Sequence, residues 1–213
     1  MRRSSSRFAY TETERTHMSS KVTVHKTLLA LMVAGALTLA GCGAGGNNEP
    51  TPSAALEHSD VAELDAAEVI EDLDTMPVSE RPTDLMASVE PRGLVLTDTT
   101  GEEQPTILPL PEDRFYLSVA PYENRTHECY FHSLTTCLGE MSSEEVHVTV
   151  TDDATGDTLI DEPRTTYDNG FIGLWLPRDI NATLTIHYDD KSATAPIATG
   201  DQDLTCLTTM RLT

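Results

Sequence analysis

From Pro111 to the C-terminus the chain is built from short runs rich in Val, Ile, Thr and Tyr. They read "RFYLSVAPY" (114–122), "EEVHVTVTD" (144–152), "DTLIDEP" (157–163), "GFIGLWLP" (170–177), "ATLTIHYDD" (182–190), "SATAPIAT" (192–199) and "LTCLTTMRLT" (204–213). Turn chemistry such as "DDATGD", "YDNG" and "PRDIN" separates them. Runs this short are strands rather than helices, and so many of them in about 100 residues specify a β-sandwich or a small barrel. The expected fold class is α+β and mainly β: a small N-terminal α/β region followed by an antiparallel β-sandwich over 111–213. Trp175 is expected in its core, with Leu174 and Leu176 on the opposite face of their strand.

The order of these strands resembles the transthyretin-like and carboxypeptidase-regulatory-like sandwich, a likeness of fold that carries no chemistry. Ahead of it, residues 57–80 are dense in acid, yet Val61, Leu64, Val69, Ile70 and Leu73 recur among the carboxylates. Asp65 with Glu68 three residues later matches a capping box, predicting a short helix from about Ala66 to Leu73, bounded by Pro77 and Pro82. The carboxylates of this run read as a solvated helix face. "GLVLTDTTGEEQPTILPL" (93–110) predicts a hairpin. Residues 55–110 are too few to build much of a core alone, so this region is expected to pack on the sandwich, on a second subunit, or on both.

The N-terminus reads as an export signal. Lys21, His25 and Lys26 precede an apolar run, Leu28 to Ala40, that ends in "LAGC". The run is too short to span a bilayer. Leu39-Ala40-Gly41-Cys42 reads as a bacterial lipobox, in which Cys42 is lipidated and becomes the mature N-terminus. Residues 1–41 are then signal peptide, with Met18 as the better-proportioned start. "GAGGNNEPTPSA" after Cys42 is a flexible tether (42–54) that can reach about 40 Å when extended. Residues 1–41 carry six of the 14 Lys/Arg and two of the 35 Asp/Glu, which leaves 8 against 33 and a mature net charge of −25. Such a surface repels phosphate backbones and excludes nucleic-acid binding as a function. It also repels anionic headgroups, so membrane attachment falls to the lipid on Cys42.

No Gly-rich phosphate loop, nucleophile elbow or His-Glu-x-x-His helix is present, which leaves the cysteines to carry any chemistry. With Cys42 assigned to the anchor, Cys129, Cys137 and Cys206 remain in an oxidising compartment, an odd number. "HECYFHSLTTC" (127–137) holds two of them with His127 and His132. Their spacing is too wide for a Cys-x-x-Cys redox hairpin and unlike zinc sites. A Cys129–Cys137 disulfide would stabilise by roughly 2–3 kcal/mol and leave Cys206 as a buried small hydrophobe. The alternative uses all three thiolates, soft ligands that select Cu(I), with His127 and His132 as auxiliary donors. Met141 and Met210 are further thioether candidates, Met210 by lying four residues past Cys206 on the same strand face. Residue types alone leave both readings open and favour the staple.

"LSVAPYENRTHECYFHSLTTCLGEM", "TYDNGFIGLWLPRDINATLTI" and "CLTTMRLT", with "VIEDLDTMPVSERPTDLMASVEPRGLVLTD" upstream, resemble the CueP family of bacterial envelope copper-binding proteins over about residues 60–213. Cys129 and Cys137 match the family's loop pair and Cys206 its third cysteine. The resemblance implies binding of copper, as Cu(I) and in part Cu(II), in the periplasm or envelope, serving copper tolerance or supply to exported cuproenzymes. It also implies thiol redox chemistry at the cysteines, including reduction of Cu(II), and a homodimer formed through the N-terminal region; a thiol oxidoreductase is a further candidate partner. The lipobox departs from the soluble members, because a tethered protein captures or reduces copper at the membrane surface and cannot diffuse far to deliver it.

Overall fold

The computed structural model describes residues 64–101 and 104–213. The expected signal peptide, Cys42, the tether and Val61 lie outside them. Among the described residues no helix is long and apolar enough to cross a membrane.

The architecture is arranged around β4 (Arg114–Tyr122), in which every residue from Phe115 to Pro121 is buried. A strand buried on both faces must lie between two layers. β4 is the centre of a three-stranded sheet, antiparallel to β8 (Ile172–Pro177) and parallel to β11 (Cys206–Arg211). On one face Phe115, Leu117 and Val119 stand with Ile172, Leu174 and Leu176 of β8. They pack against Val146, Val148 and Val150 of β6 (Glu145–Asp152) and Ala182, Leu184 and Ile186 of β9 (Asn181–Tyr188). Those two strands are the middle of a second sheet, completed by β7 (Thr158–Thr165) and β10 (Lys191–Ala198) in the order β10-β9-β6-β7. Together they form the β-sandwich that the alternating runs predict, antiparallel except for the β11–β4 pair.

The other face of β4 and β8 is covered by the N-terminal region. Helix α1 (Ala66–Thr75) begins at Asp65, whose carboxylate accepts from the backbone N–H of Ala67 (2.7 Å) and Glu68 (3.3 Å). Its buried stripe, Ala66, Ile70 and Leu73, meets Ala87 and Val89 of β1 (Leu85–Glu90) and Leu94 and Leu96 of β2 (Gly93–Asp98). The expected hairpin is β2 with β3 (Thr106–Pro109), and β1 joins it through a tight turn at Pro91-Arg92 that the sequence pattern did not mark. A two-residue strand, β5 (His132–Ser133), adds to the free edge of β1, Val89 facing His132. The loop that holds the cysteine pair is thereby stitched to the N-terminal sheet.

Three expectations are corrected by this layering. Trp175 is only half-buried and packs with Tyr116 (ring centroids 4.8 Å) against the N-terminal layer, whereas Leu174 and Leu176 fill the sandwich core. Met210 does not share a face with Cys206. β11 carries an extra residue between Leu207 and Met210 relative to β4, and that bulge turns Met210 into the sandwich core. Met141 lies in the same core. Finally, the carboxylates of the first helix are not all solvated, because Asp74 is completely buried.

Gly173 in β8 is what allows Tyr116 to lie flat across the sheet, since an added Cβ would collide with the phenol oxygen. We expect Gly173→Ala to displace that hydroxyl from Asp74 and to lower the unfolding free energy by about 3 kcal/mol, read from denaturant unfolding.

Candidate metal centre

The site grows from the buried carboxylate of Asp74, one residue short of the end of α1. An anion at a helix C-terminus faces the negative end of the helix dipole, and burial adds a desolvation cost, so its partners must be many. They come from three other segments. Tyr116 Oη of β4 donates to Oδ2 at 2.6 Å, and Ser118 Oγ lies at 3.4 Å from the same oxygen. Asn169, in the turn before β8, donates from Nδ2 to Oδ1 (2.7 Å) and to the Asp74 carbonyl (3.0 Å), which serves one of the carbonyls left unpaired at a helix end. His132 Nε2 completes the set at 3.0 Å from Oδ1. Burial alone would raise Asp74, but the hydrogen bond and charge of His132, with Tyr116 and Asn169, outweigh it and hold the carboxyl below its ordinary range.

His132 is fully buried, and its orientation is fixed from both ends. Its backbone N–H donates to Thr205 Oγ1 (3.1 Å), and that hydroxyl donates onward to the carbonyl of Val89 (2.5 Å). With Nε2 on Asp74, Nδ1 faces Cys206 Sγ at 3.7 Å. Burial pulls the imidazole down. The Asp74 hydrogen bond and the Cys137 sulfur more than reverse this and raise it to about 9. A carboxylate behind an imidazole that faces soft donors is the arrangement that orients histidine ligands in metal sites.

Cys206 opens β11 and is buried, so its approach to the loop is set by the backbone. The carbonyl of Tyr130, between Cys129 and His132, accepts from both Thr205 N (3.0 Å) and Cys206 N (3.1 Å). Cys137 is placed by a turn, its N–H donating to the Ser133 carbonyl at 3.0 Å, and by Arg81, which donates from Nη1 to the Cys137 carbonyl at 2.9 Å. Immediately beyond, Gly139 N donates to the Asn169 carbonyl (2.7 Å). Gly139 and Gly170 touch backbone to backbone so closely that a Cβ on either would meet the other below 3 Å, and Gly170 sits at φ +79°. Only glycines permit this approach, which lays Cys137 against the turn that carries Asn169 and Phe171.

The three cysteines are free thiols, with Cys129 Sγ and Cys137 Sγ 3.6 Å apart. Ala120, Phe171 and Cys206 form a small apolar floor beneath Cys129 and Cys137. Phe171 also faces both imidazoles, with centroid separations of 4.5 Å to His132 and 6.2 Å to His127. Among the described residues two groups of three donors result: His127, Cys129 and Cys137, and His132, Cys137 and Cys206, the atoms of each within 4.8 Å of one another. Metal–sulfur bonds of about 2.3 Å, the zinc–thiolate value, place the donors of a trigonal ion about 4 Å apart, so either group could close on a soft ion with small side-chain movements. Cys137 belongs to both and is the natural thiolate. Hydrogen bonds from Cys129 and then Cys206, followed by the His132 imidazole, hold it far below an ordinary thiol. Cys129 is pushed up to about 12, first by the proton it shares with Cys137, and Cys206 is pushed up further by its hydrogen bonds to the other two sulfurs and by burial.

Sequence reasoning named the sulfurs and both histidines but missed Asp74, Tyr116, Asn169, Phe171 and Arg81. Asp74 did leave a signal: it falls four residues after Ile70 and one after Leu73, inside the apolar stripe of α1. A charge in that stripe is a buried charge with a partner to be found.

Known proteins can now be set beside this geometry. Residues 68–211 match the model of the family described as periplasmic copper-binding protein CueP. The chain belongs to the CueP family. The crystal structure of S.CueP aligns at 40% identity with a TM-score of 0.67, covering 77% of this chain and 98% of that one. No curated protein matches. Copper binding is therefore the family's described property, and the Cys/His groups of this CueP-family chain are where its described residues could hold a metal.

The approach to the site is pinned by Glu140. Its Oε2 accepts from the backbone N–H of Glu123 (2.7 Å), Asn124 (2.8 Å) and Arg125 (3.3 Å), just before His127. These bonds, Asn124 first, outweigh desolvation and bring the carboxyl from 4.5 to about 2. A depressed folded pKa contributes stability that is complete above the unfolded value and disappears as pH falls through the folded one. We expect wild type to exceed Glu140→Gln in stability above about pH 4.5, and the gap to close between there and about pH 2. Urea unfolding of both proteins across this range measures it.

Proposed function

We propose that this chain is a lipid-anchored cell-envelope protein that captures Cu(I) through Cys129, Cys137 and Cys206, with His127 and His132 as auxiliary donors. The observation that carries the reading is the convergence of both three-donor groups on Cys137. Thiolate sulfur and imidazole nitrogen are the donors that a soft monovalent copper ion selects. The acidic surface concentrates cations weakly around the site, and the lipid on Cys42 keeps the protein at the membrane. Its service is copper tolerance or supply of copper to exported enzymes, as a homodimer formed through the N-terminal layer.

The same thiols can reduce Cu(II). Cys129 and Cys137, 3.6 Å apart, each pass one electron to one Cu(II). One S–S bond forms, two Cu(I) result, and the thiol protons leave to solvent. Cys206 and His132 take no part in that bond and remain as donors for Cu(I). A thiol oxidoreductase then returns the disulfide to two thiols. The Cys129–Cys137 staple expected from spacing is, on this reading, the oxidised form of the same site.

Anaerobic titration of the reduced protein against a chromogenic Cu(I) chelator tests the proposal. The expected result is one tightly held Cu(I) per chain, with Cys137→Ser and Cys206→Ser each weakening it by at least about tenfold. Affinity unchanged in Cys206→Ser would sink the three-sulfur site. A wild-type protein that takes up no copper would leave only the stapled surface module.

A further inference from the structure

The two donor groups differ in everything except Cys137. The outer one is open: His127 is exposed, Cys129 and Cys137 are half-buried, and a surface cavity of about 380 Å³ lined by Thr126, His127, Glu128, Cys129 and Thr208 leads to it. The inner one is closed, with His132 at 0% and Cys206 at 1% exposure. His127 stands at the end of the segment pinned by Glu140 and by Thr126, whose hydroxyl donates to the Thr208 carbonyl at 2.6 Å. His132 is locked onto Asp74.

From this we infer that the protein holds two successive copper positions sharing Cys137: an outer capture position at His127, Cys129 and Cys137, and an inner storage position at His132, Cys137 and Cys206. The inference rests on the copper reading above and deepens it. A soft ion need never be released on the way in. It keeps its bond to Cys137 while Cys129 exchanges for Cys206 and His127 for His132. Both imidazoles lie against Phe171, so the ion travels over one apolar floor. The inner position is the final one, because its imidazole is already oriented by a buried carboxylate and the water-poor surroundings strengthen its electrostatic interactions. Cys129 and His127 are then residues of loading rate, whereas Cys206 and His132 are residues of retention.

Stopped-flow loading of the reduced full-length protein with Cu(I), and with redox-silent Ag(I), separates these roles. His127→Ala and Cys129→Ser are expected to slow loading by about fivefold or more and to lose less equilibrium affinity than Cys206→Ser does. Cys206→Ser should load within about twofold of the wild-type rate and release the ion about tenfold faster or more. Because Cys206 is buried, wild-type protein supplies a measurement that needs no variant: with one equivalent of Ag(I), the imidazole ¹⁵N resonances of His132 should shift and those of His127 should not. Equal losses of affinity in His127→Ala and Cys206→Ser with unchanged loading rates would show a single position and overturn the inference. So would a His127→Ala protein with unaltered loading, or an equilibrium shift at His127 in place of His132. If wild-type protein binds neither ion, the copper reading itself fails, an outcome distinct from all of these.

Discussion

The carboxylate of Asp74 is anchored by four groups from distant parts of the chain, and it is an anion that the fold could hold in no other way. It is placed by a helix, buried against a sheet and set at the unfavourable end of the helix dipole. Removing His132 leaves that charge without its ion-pair partner in a buried site, at a cost of about 3–5 kcal/mol for a broken buried pair. Tyr116 and Ser118 fix it to the central strand, Asn169 to the turn before β8, and His132 to the cysteine loop. One interaction therefore joins the N-terminal layer, the sandwich and the candidate site. An apolar contact could have held the layers together equally well. What it could not do is fix the rotation of an imidazole so that Nδ1 is presented to Cys206.

The backbone solves the complementary problem of gathering three sulfurs from a loop and a distant strand. β11 runs parallel to β4, so its first residues arrive beside the loop that leaves the other end of the sheet, and Tyr130 receives them with one carbonyl. Cys137 comes from the opposite direction across the paired glycines at 139 and 170. Cys137 and Cys206 are thus placed by main-chain hydrogen bonds. A thiol held in that way can change its protonation or its partner without loosening the core around it.

Much of this was legible in the chain. The sandwich strands could be read because each buries one face or both, which writes alternation or continuous apolarity into the sequence. The first helix was legible from Asp65 and Glu68, and the β2–β3 hairpin from its turn. The candidate sulfur donors were legible too, because three cysteines beyond the expected lipobox are an odd number that demands an explanation. Their assembly was not. Nothing near His132 in sequence announces a partner at Asp74, and the three acids of "EDLD" (71–74) look solvent-facing until Asp74 is placed on the stripe of Ile70 and Leu73. Met210 misled for a different reason: strict period-2 counting from Cys206 fails at a bulge, and a bulge in a strand without glycine leaves no mark.

The electrostatics of the site follow from the same constraint. Cys137 receives hydrogen bonds from two thiols and faces an imidazole whose positive charge is sustained by Asp74. Cys137 Sγ, His132 and Asp74 follow one another inward from the half-exposed surface. In the proposed inner position, a metal on His132 Nδ1 would leave Asp74 hydrogen-bonded to a neutral imidazole. The buried carboxylate that fixes the His132 imidazole would, in the proposed site, also orient it as a donor. For this reason Asp74 belongs to the chemistry of the site as much as to the architecture.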